Sequence, residues 1–82
     1  MAAADKKLLV NVGLFADDNN ARNAYTKLGD AGLPATTEVL QTKKGRLTRV
    51  RVGPFDSRAE AERAADKIRN LGLDALVFEP KP

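Results

Sequence analysis

The 82-residue sequence predicts an α+β domain of βαββαβ order, with a four-stranded antiparallel sheet carrying both helices on one face. Three observations lead there: a self-similarity at a displacement of 40 residues, apolar runs that switch from a period of two to a period of three and four, and a glycine after each helical stretch. Displaced by 40, Val10, Val12, Gly13, Phe15, Ala21, Ala24, Lys27, Gly32, Leu33 and Ala35 meet Val50, Val52, Gly53, Phe55, Ala61, Ala64, Lys67, Gly72, Leu73 and Ala75. These are 10 identities in the 32 pairs from Leu8/Thr48 to Val39/Glu79, where unrelated sequences of this composition share roughly two or three. The chain is therefore expected to hold two copies of one supersecondary unit.

Each unit opens on a strand, expected over 7–13 and 47–53, where Val50 and Val52 alternate with Arg49 and Arg51. Gly13 and Gly53 are expected at the strand exits, where a side chain would crowd the turn. Helices are expected over 18–31 and 58–71. Ala21, Ala24, Tyr25 and Leu28, and likewise Ala61, Ala64, Ala65, Ile68 and Leu71, recur at spacings that place them on one helical face. Ser57-Arg58-Ala59-Glu60 has the Ser-x-x-Glu spacing of a helix start, with Asp17 in the equivalent place of the first unit. Gly32 and Gly72, each followed by a leucine, suit helix ends closed by a left-handed residue and an apolar contact. Second strands are expected over 35–41 and 74–79, with a hairpin turn through Thr42-Lys43-Lys44-Gly45-Arg46.

Composition narrows the chemistry. Neither cysteine nor histidine occurs, which removes disulfides, thiolate metal sites, thiol nucleophiles and the commonest general base. No metal, cofactor or catalytic residue is assigned. Ser57 has no base to activate it and is accounted for by capping. Asp17, Asp18, Asn19 and Asn20 lack the bidentate glutamate of a calcium loop and suit a helix start. The glycines form neither a GxGxxG nor a GxxxxGK[ST] pattern. Phe15 and Phe55 are assigned to packing beneath the helices rather than to stacking on a ligand. The net charge of +3 permits an anionic partner without demanding one. No apolar run approaches the roughly 20 residues that span a bilayer, so the domain itself is not expected to contact the membrane.

Strand alternation sorts the side chains into two faces. With Val10, Val12, Val50 and Val52 turned to the helices, Leu9, Asn11, Leu47, Arg49 and Arg51 turn outward. With Leu73, Ala75 and Val77 inward, Leu76 and Phe78 turn outward, and Thr36, Glu38 and Leu40 follow on the other edge. Apolar groups beside guanidinium groups suit a flat polar ligand with apolar ring faces. The pattern alone fits a solvated sheet with scattered apolar groups equally well.

The run Val10-Asn11-Val12-Gly13-Leu14-Phe15 with Ala21, Leu28 and Gly32, followed by Arg49-Val50-Arg51-Val52-Gly53-Pro54-Phe55 with Ala61, Ala64 and Gly72, resembles the SPOR domain, a sporulation-related repeat. The likeness spans residues 8–79, with an N-terminal segment over 1–7 expected to be flexible and a tail over 80–82. Asn11 and Leu14 stand where the family has glutamine and serine. The resemblance implies a ferredoxin-like or RNP-like fold that binds peptidoglycan glycan strands stripped of their stem peptides at the division septum, as in cell-division proteins of the FtsN and DedD type. It further implies a periplasmic location, as a domain of a longer protein anchored in the inner membrane. On this reading Asn11, Arg49, Arg51, Leu76 and Phe78 form the glycan-binding site, with Arg49 or Arg51 pairing with the lactyl carboxylate that loss of the stem peptide exposes. Two other modules share the βαββαβ order. An RNA-binding RRM stacks bases on aromatic residues of its two central strands, where this sequence has Leu9, Asn11, Arg49 and Arg51. An ACT-like domain would bind a small regulatory molecule. Nucleic acid is accordingly not among the expected partners.

Overall fold

The computed structural model describes residues 7–79. The chain runs β1 (Leu8–Phe15), α1 (Asp18–Asp30), β2 (Ala35–Thr42), β3 (Gly45–Phe55), α2 (Arg58–Asn70) and β4 (Leu76–Phe78). Its strands form one antiparallel sheet in the order β2-β3-β1-β4. The βαββαβ expectation holds. Of the expected terminal segments, residues 1–6 and 80–82 lie outside the described residues, while Lys7 donates to Asp56 beyond the far end of β3.

Both helices lie on the same face because both supply the same core. Val10, Val12, Val50 and Val52 from the two central strands meet Ala21 and Leu28 of α1 and Ala61, Ala65 and Ile68 of α2. Leu28, Ile68, Val10, Val50 and Val52 are fully buried, each contributing roughly 1.5–3 kcal/mol of transfer free energy. Phe15, Phe55, Leu33, Leu73, Ala75 and Val77 close the margins of this cluster, so the two phenylalanines belong with the core as the sequence indicates.

The helix ends follow from local chemistry. The Asp17 carboxylate accepts from the Asn19 amide at 2.8 Å, and Ser57 Oγ accepts from the Glu60 amide at 3.2 Å. Each satisfies an amide that has no partner within its own helix. At the C-termini, Leu33 N–H donates to Leu28 O at 3.0 Å and Leu73 N–H donates to Ile68 O at 3.2 Å. Gly32 at φ +79° and Gly72 at φ +86° make the left-handed turn between them. The hairpin between β2 and β3 is closed by Thr42, whose hydroxyl donates to Gly45 O at 2.7 Å.

Two expectations are corrected. Gly13 and Gly53 do not end their strands; β1 continues to Phe15 and β3 to Phe55. Each glycine instead sits at a register shift. One extra residue falls on β1 between the Asn11/Arg51 and Gly13/Val50 pairs, and one falls on β3 between Val10/Val52 and Leu8/Phe55. Gly53 has φ +134°, and a Cβ there would stand 2.9 Å from Leu9 Cδ2 and 3.1 Å from Leu8 O. β4 is also shorter than its expected 74–79. It pairs only with Leu9, Val10 and Asn11, and its ladder stops where the β1 bulge begins. Before it, Ala75 O is taken by the Arg69 guanidinium at 2.9 Å.

Candidate functional site

The face of the sheet turned away from the helices carries a shallow groove of about 280 Å³ lined by Asn11, Leu14, Arg49, Arg51, Leu76 and Phe78. The five residues expected to form the binding site, Asn11, Arg49, Arg51, Leu76 and Phe78, all line it. Cross-strand pairing accounts for their meeting: Asn11 stands opposite Arg51 on one side and Leu76 on the other, while Thr36 and Glu38 of β2 pair with Arg51 and Arg49. Residues directly opposite in an antiparallel pair project to the same face.

Leu14 escaped the alternation argument. With Val10 and Val12 inward, strict period two would turn Leu14 inward as well. The bulge at Val12–Gly13 reverses the phase, so that Leu14 pairs with Arg49 and is 54% exposed on the open face, while Phe15 turns back to the core. A lone glycine inside a strand pattern is the sequence signal of such a bulge.

The two arginines are held differently. Arg49 Nη1 lies 3.7 Å from Glu38 Oε1, so an acidic side chain of the adjacent strand partly neutralises it. The Arg51 guanidinium lies over the Phe78 ring, 5.3 Å from its centroid, a cation–π arrangement. Two buried side-chain atoms of these lining residues have no hydrogen-bond partner among the described residues, and they belong to a cross-strand pair: Asn11 Oδ1, an acceptor, and Arg51 Nε, a donor. Leu76 is 64% exposed at the groove's edge. The groove thus offers a guanidinium, an amide, the exposed side chains of Leu14 and Leu76, and a ring already covered by a cation.

The SPOR domain family matches residues 4–79, nearly the whole chain. The chain belongs to the SPOR domain family. Three solved structures show the same architecture. The SPOR domain of RlpA from Pseudomonas aeruginosa superposes with a TM-score of 0.79 at 29% identity, covering 89% of this chain and 99% of that one. The solution structure of the peptidoglycan-binding domain of the B. subtilis cell-wall lytic enzyme CwlC gives 0.69 at 28% identity, covering 94% and 92%. The Spor protein DedD gives 0.63 at 26% identity, covering 94% of this SPOR domain and 40% of that chain. No curated protein matches the sequence.

Proposed function

We propose that this SPOR domain binds peptidoglycan through the open face of its sheet, and that it recognises glycan strands from which the stem peptides have been removed. The observation that carries the proposal is the groove. It gathers Asn11, Arg49, Arg51, Leu76 and Phe78, with Leu14, around a guanidinium fork on a face that no helix covers. The peptidoglycan-binding domain of CwlC, similar over most of both chains, supports the ligand class.

The preference for stem-free strands follows from the chemistry of the guanidinium. Cleaving the stem peptide from the muramic acid turns an amide into a lactyl carboxylate, which a planar guanidinium pairs with through two parallel N–H···O bonds. A retained stem peptide would neutralise that group and crowd the sheet surface. Arg51 is the better placed of the two arginines, because Arg49 already faces Glu38. Leu14 and Leu76 would receive the apolar faces of the sugar rings. On this reading the domain takes a longer, membrane-anchored protein to the periplasmic side of the division septum, where such strands are produced, and itself touches neither the membrane nor nucleic acid. Against base stacking, the central strands present no aromatic side chain outward, and the outward Phe78 on the edge strand is covered by Arg51.

The test is sedimentation of the purified domain with sacculi before and after amidase treatment. Retention should rise several-fold on treated sacculi and persist in moderate salt, since groove contacts near the protein surface are screened only in part. Equal retention on the two preparations would refute recognition of stem-free glycan. Steeply salt-dependent binding to single-stranded RNA with no sacculus binding would point to a nucleic-acid module instead.

A further inference from the structure

We infer that two copies of this chain pair edge to edge through β2, antiparallel and centred on Leu40, so that two four-stranded sheets become one of eight strands. The pairing does not depend on what the groove binds and is tested without glycan.

The two edges of the sheet are unlike. Edge strands of soluble proteins are commonly cut short, bulged, or broken by proline or lysine, which prevents pairing with another chain. β4 is cut short, with three residues. β2 carries none of these guards: its eight residues include no proline or lysine, and it pairs with β3 without a register shift. The backbone groups it leaves open follow from the hairpin. Thr42 and Gly45 flank a two-residue turn, so they form a hydrogen-bonded pair, and every second residue back along β2 does likewise. Gly53 N–H donates to Pro34 O at 3.0 Å, which fixes the same alternation at the far end. Thr36, Glu38, Leu40 and Thr42 therefore turn their backbone groups to β3, while Thr37, Val39 and Gln41 turn theirs to the open edge.

The side chains of this edge complement themselves. Val39 pairs with Thr48 on the helix side of the sheet yet is 57% exposed, so α1 leaves the edge clear. On the open face Leu40 pairs with Leu47, and both are half-buried. A two-fold axis at Leu40 sets it against Leu40 of the second copy and extends the Leu40/Leu47 pair into a row of four leucines. It sets Val39 opposite Gln41 of the second copy, where both turn their open amides and carbonyls to each other. Glu38, the one charge on β2, comes opposite Thr42 of the second copy and diagonal to its Lys44. Centring on Glu38 would bring two carboxylates together, centring on Val39 would set Glu38 against leucine, and centring on Gln41 would separate the leucines. The axis stands perpendicular to the sheet, so both pairs of helices lie on one side and both grooves on the other. An edge contact of this length falls below the roughly 1,000 Å² of a stable interface, so association is weak and depends on concentration.

The experiment uses the whole 82-residue chain, which has no cysteine, so that single cysteines report the register. In the Leu40-centred pair the two residues 40 form a pair without mutual hydrogen bonds, with Cα atoms about 4.5 Å apart, within the span a disulfide bridges. The two residues 38 lie four positions apart along the strands, about 13 Å, beyond that span. Leu40→Cys should therefore cross-link under mild oxidation at least about ten-fold faster than Glu38→Cys or the helix control Arg63→Cys, the disulfide requiring that Cα separation. Sedimentation of the parent from about 10 μM to about 1 mM, a range that brackets weak association, should show the mass rising toward that of a dimer. Val39→Pro removes an amide that points away from β3, which an edge strand tolerates, and Leu40→Lys sets two ammonium groups face to face. Each should remain monomeric over the same range, with the fold checked by its unfolding transition. A parent that stays monomeric throughout leaves this edge to a strand of some other chain and overturns the proposal. Cross-linking at position 40 no faster than at 38 or 63 overturns it too, as does a dimer that survives in folded Leu40→Lys.

Discussion

Arg51 and Gly53 sit two residues apart on β3 and mark the division between function and fold. Arg51 lines the groove and stacks on Phe78, and neither residue belongs to the core cluster. Arg51→Ala should therefore lower stability by only about 0.5–2 kcal/mol, the worth of a cation–π contact between partly exposed groups. Loss of a charged hydrogen-bond donor to the ligand should cost about 1.5–3 kcal/mol of binding, an affinity loss of about ten-fold or more. Denaturation midpoints beside glycan titrations check both numbers, and an Arg51→Ala domain that binds like the parent would move the site elsewhere. Gly53 has the opposite character. Its positive φ and the 3.1 Å separation between a built Cβ and the Leu8 carbonyl leave no room for a side chain. Gly53→Ala should cost about 1–3 kcal/mol through strained backbone. Gly13→Ala is the control, because its Cβ would meet only Phe15 ring carbons at 3.5 Å. It should change stability by less than about 1 kcal/mol, and equal losses at the two glycines would contradict this account of the bulges.

At the scale of elements, helix ends were legible in the sequence because they depend on chemistry within a few residues. Ser57, Asp17, Gly32 and Gly72 all do what their positions indicate. Ser57→Ala, which leaves the Glu60 amide without its acceptor, should destabilise by about 1 kcal/mol in denaturant unfolding, and an unchanged midpoint would show that the cap contributes nothing. The faces of β2 and β3 were legible too, since their pairing runs without a shift from Ala35/Val52 to Thr42/Gly45. What period-two reasoning could not reach were features set by pairing between strands distant in sequence. The bulge at Val12–Gly13 inverts the phase of Leu14, and although Gly13 marks a place where a bulge can form, only the pairing with β3 fixes which residues beyond it face outward. β4 was overestimated for the same reason, since its length is set by how far β1 remains straight beside it. The five expected site residues lie where the alternation is intact; Leu14 was missed because it lies beyond the break.

For the molecule as a whole, the sheet keeps its two faces apart in their tasks. The helix face holds the aliphatic core on which stability rests. The open face can carry unpaired polar atoms, an exposed leucine at either side of the groove and a guanidinium spread over a ring without burdening that core. Such a division suits a module that stays folded while its ligand surface varies. The central claim is that stem-free glycan lies on this open face, and the most direct measurement is a titration of the isotope-labelled domain with soluble stem-free glycan, followed by backbone amide chemical shifts. The account predicts that shifts concentrate at Asn11, Leu14, Arg49, Arg51, Leu76 and Phe78, while the exposed helix positions Arg22, Asn23, Glu62 and Arg63 stay unmoved. Shifts concentrated on the helices, with the sheet residues silent, would contradict it.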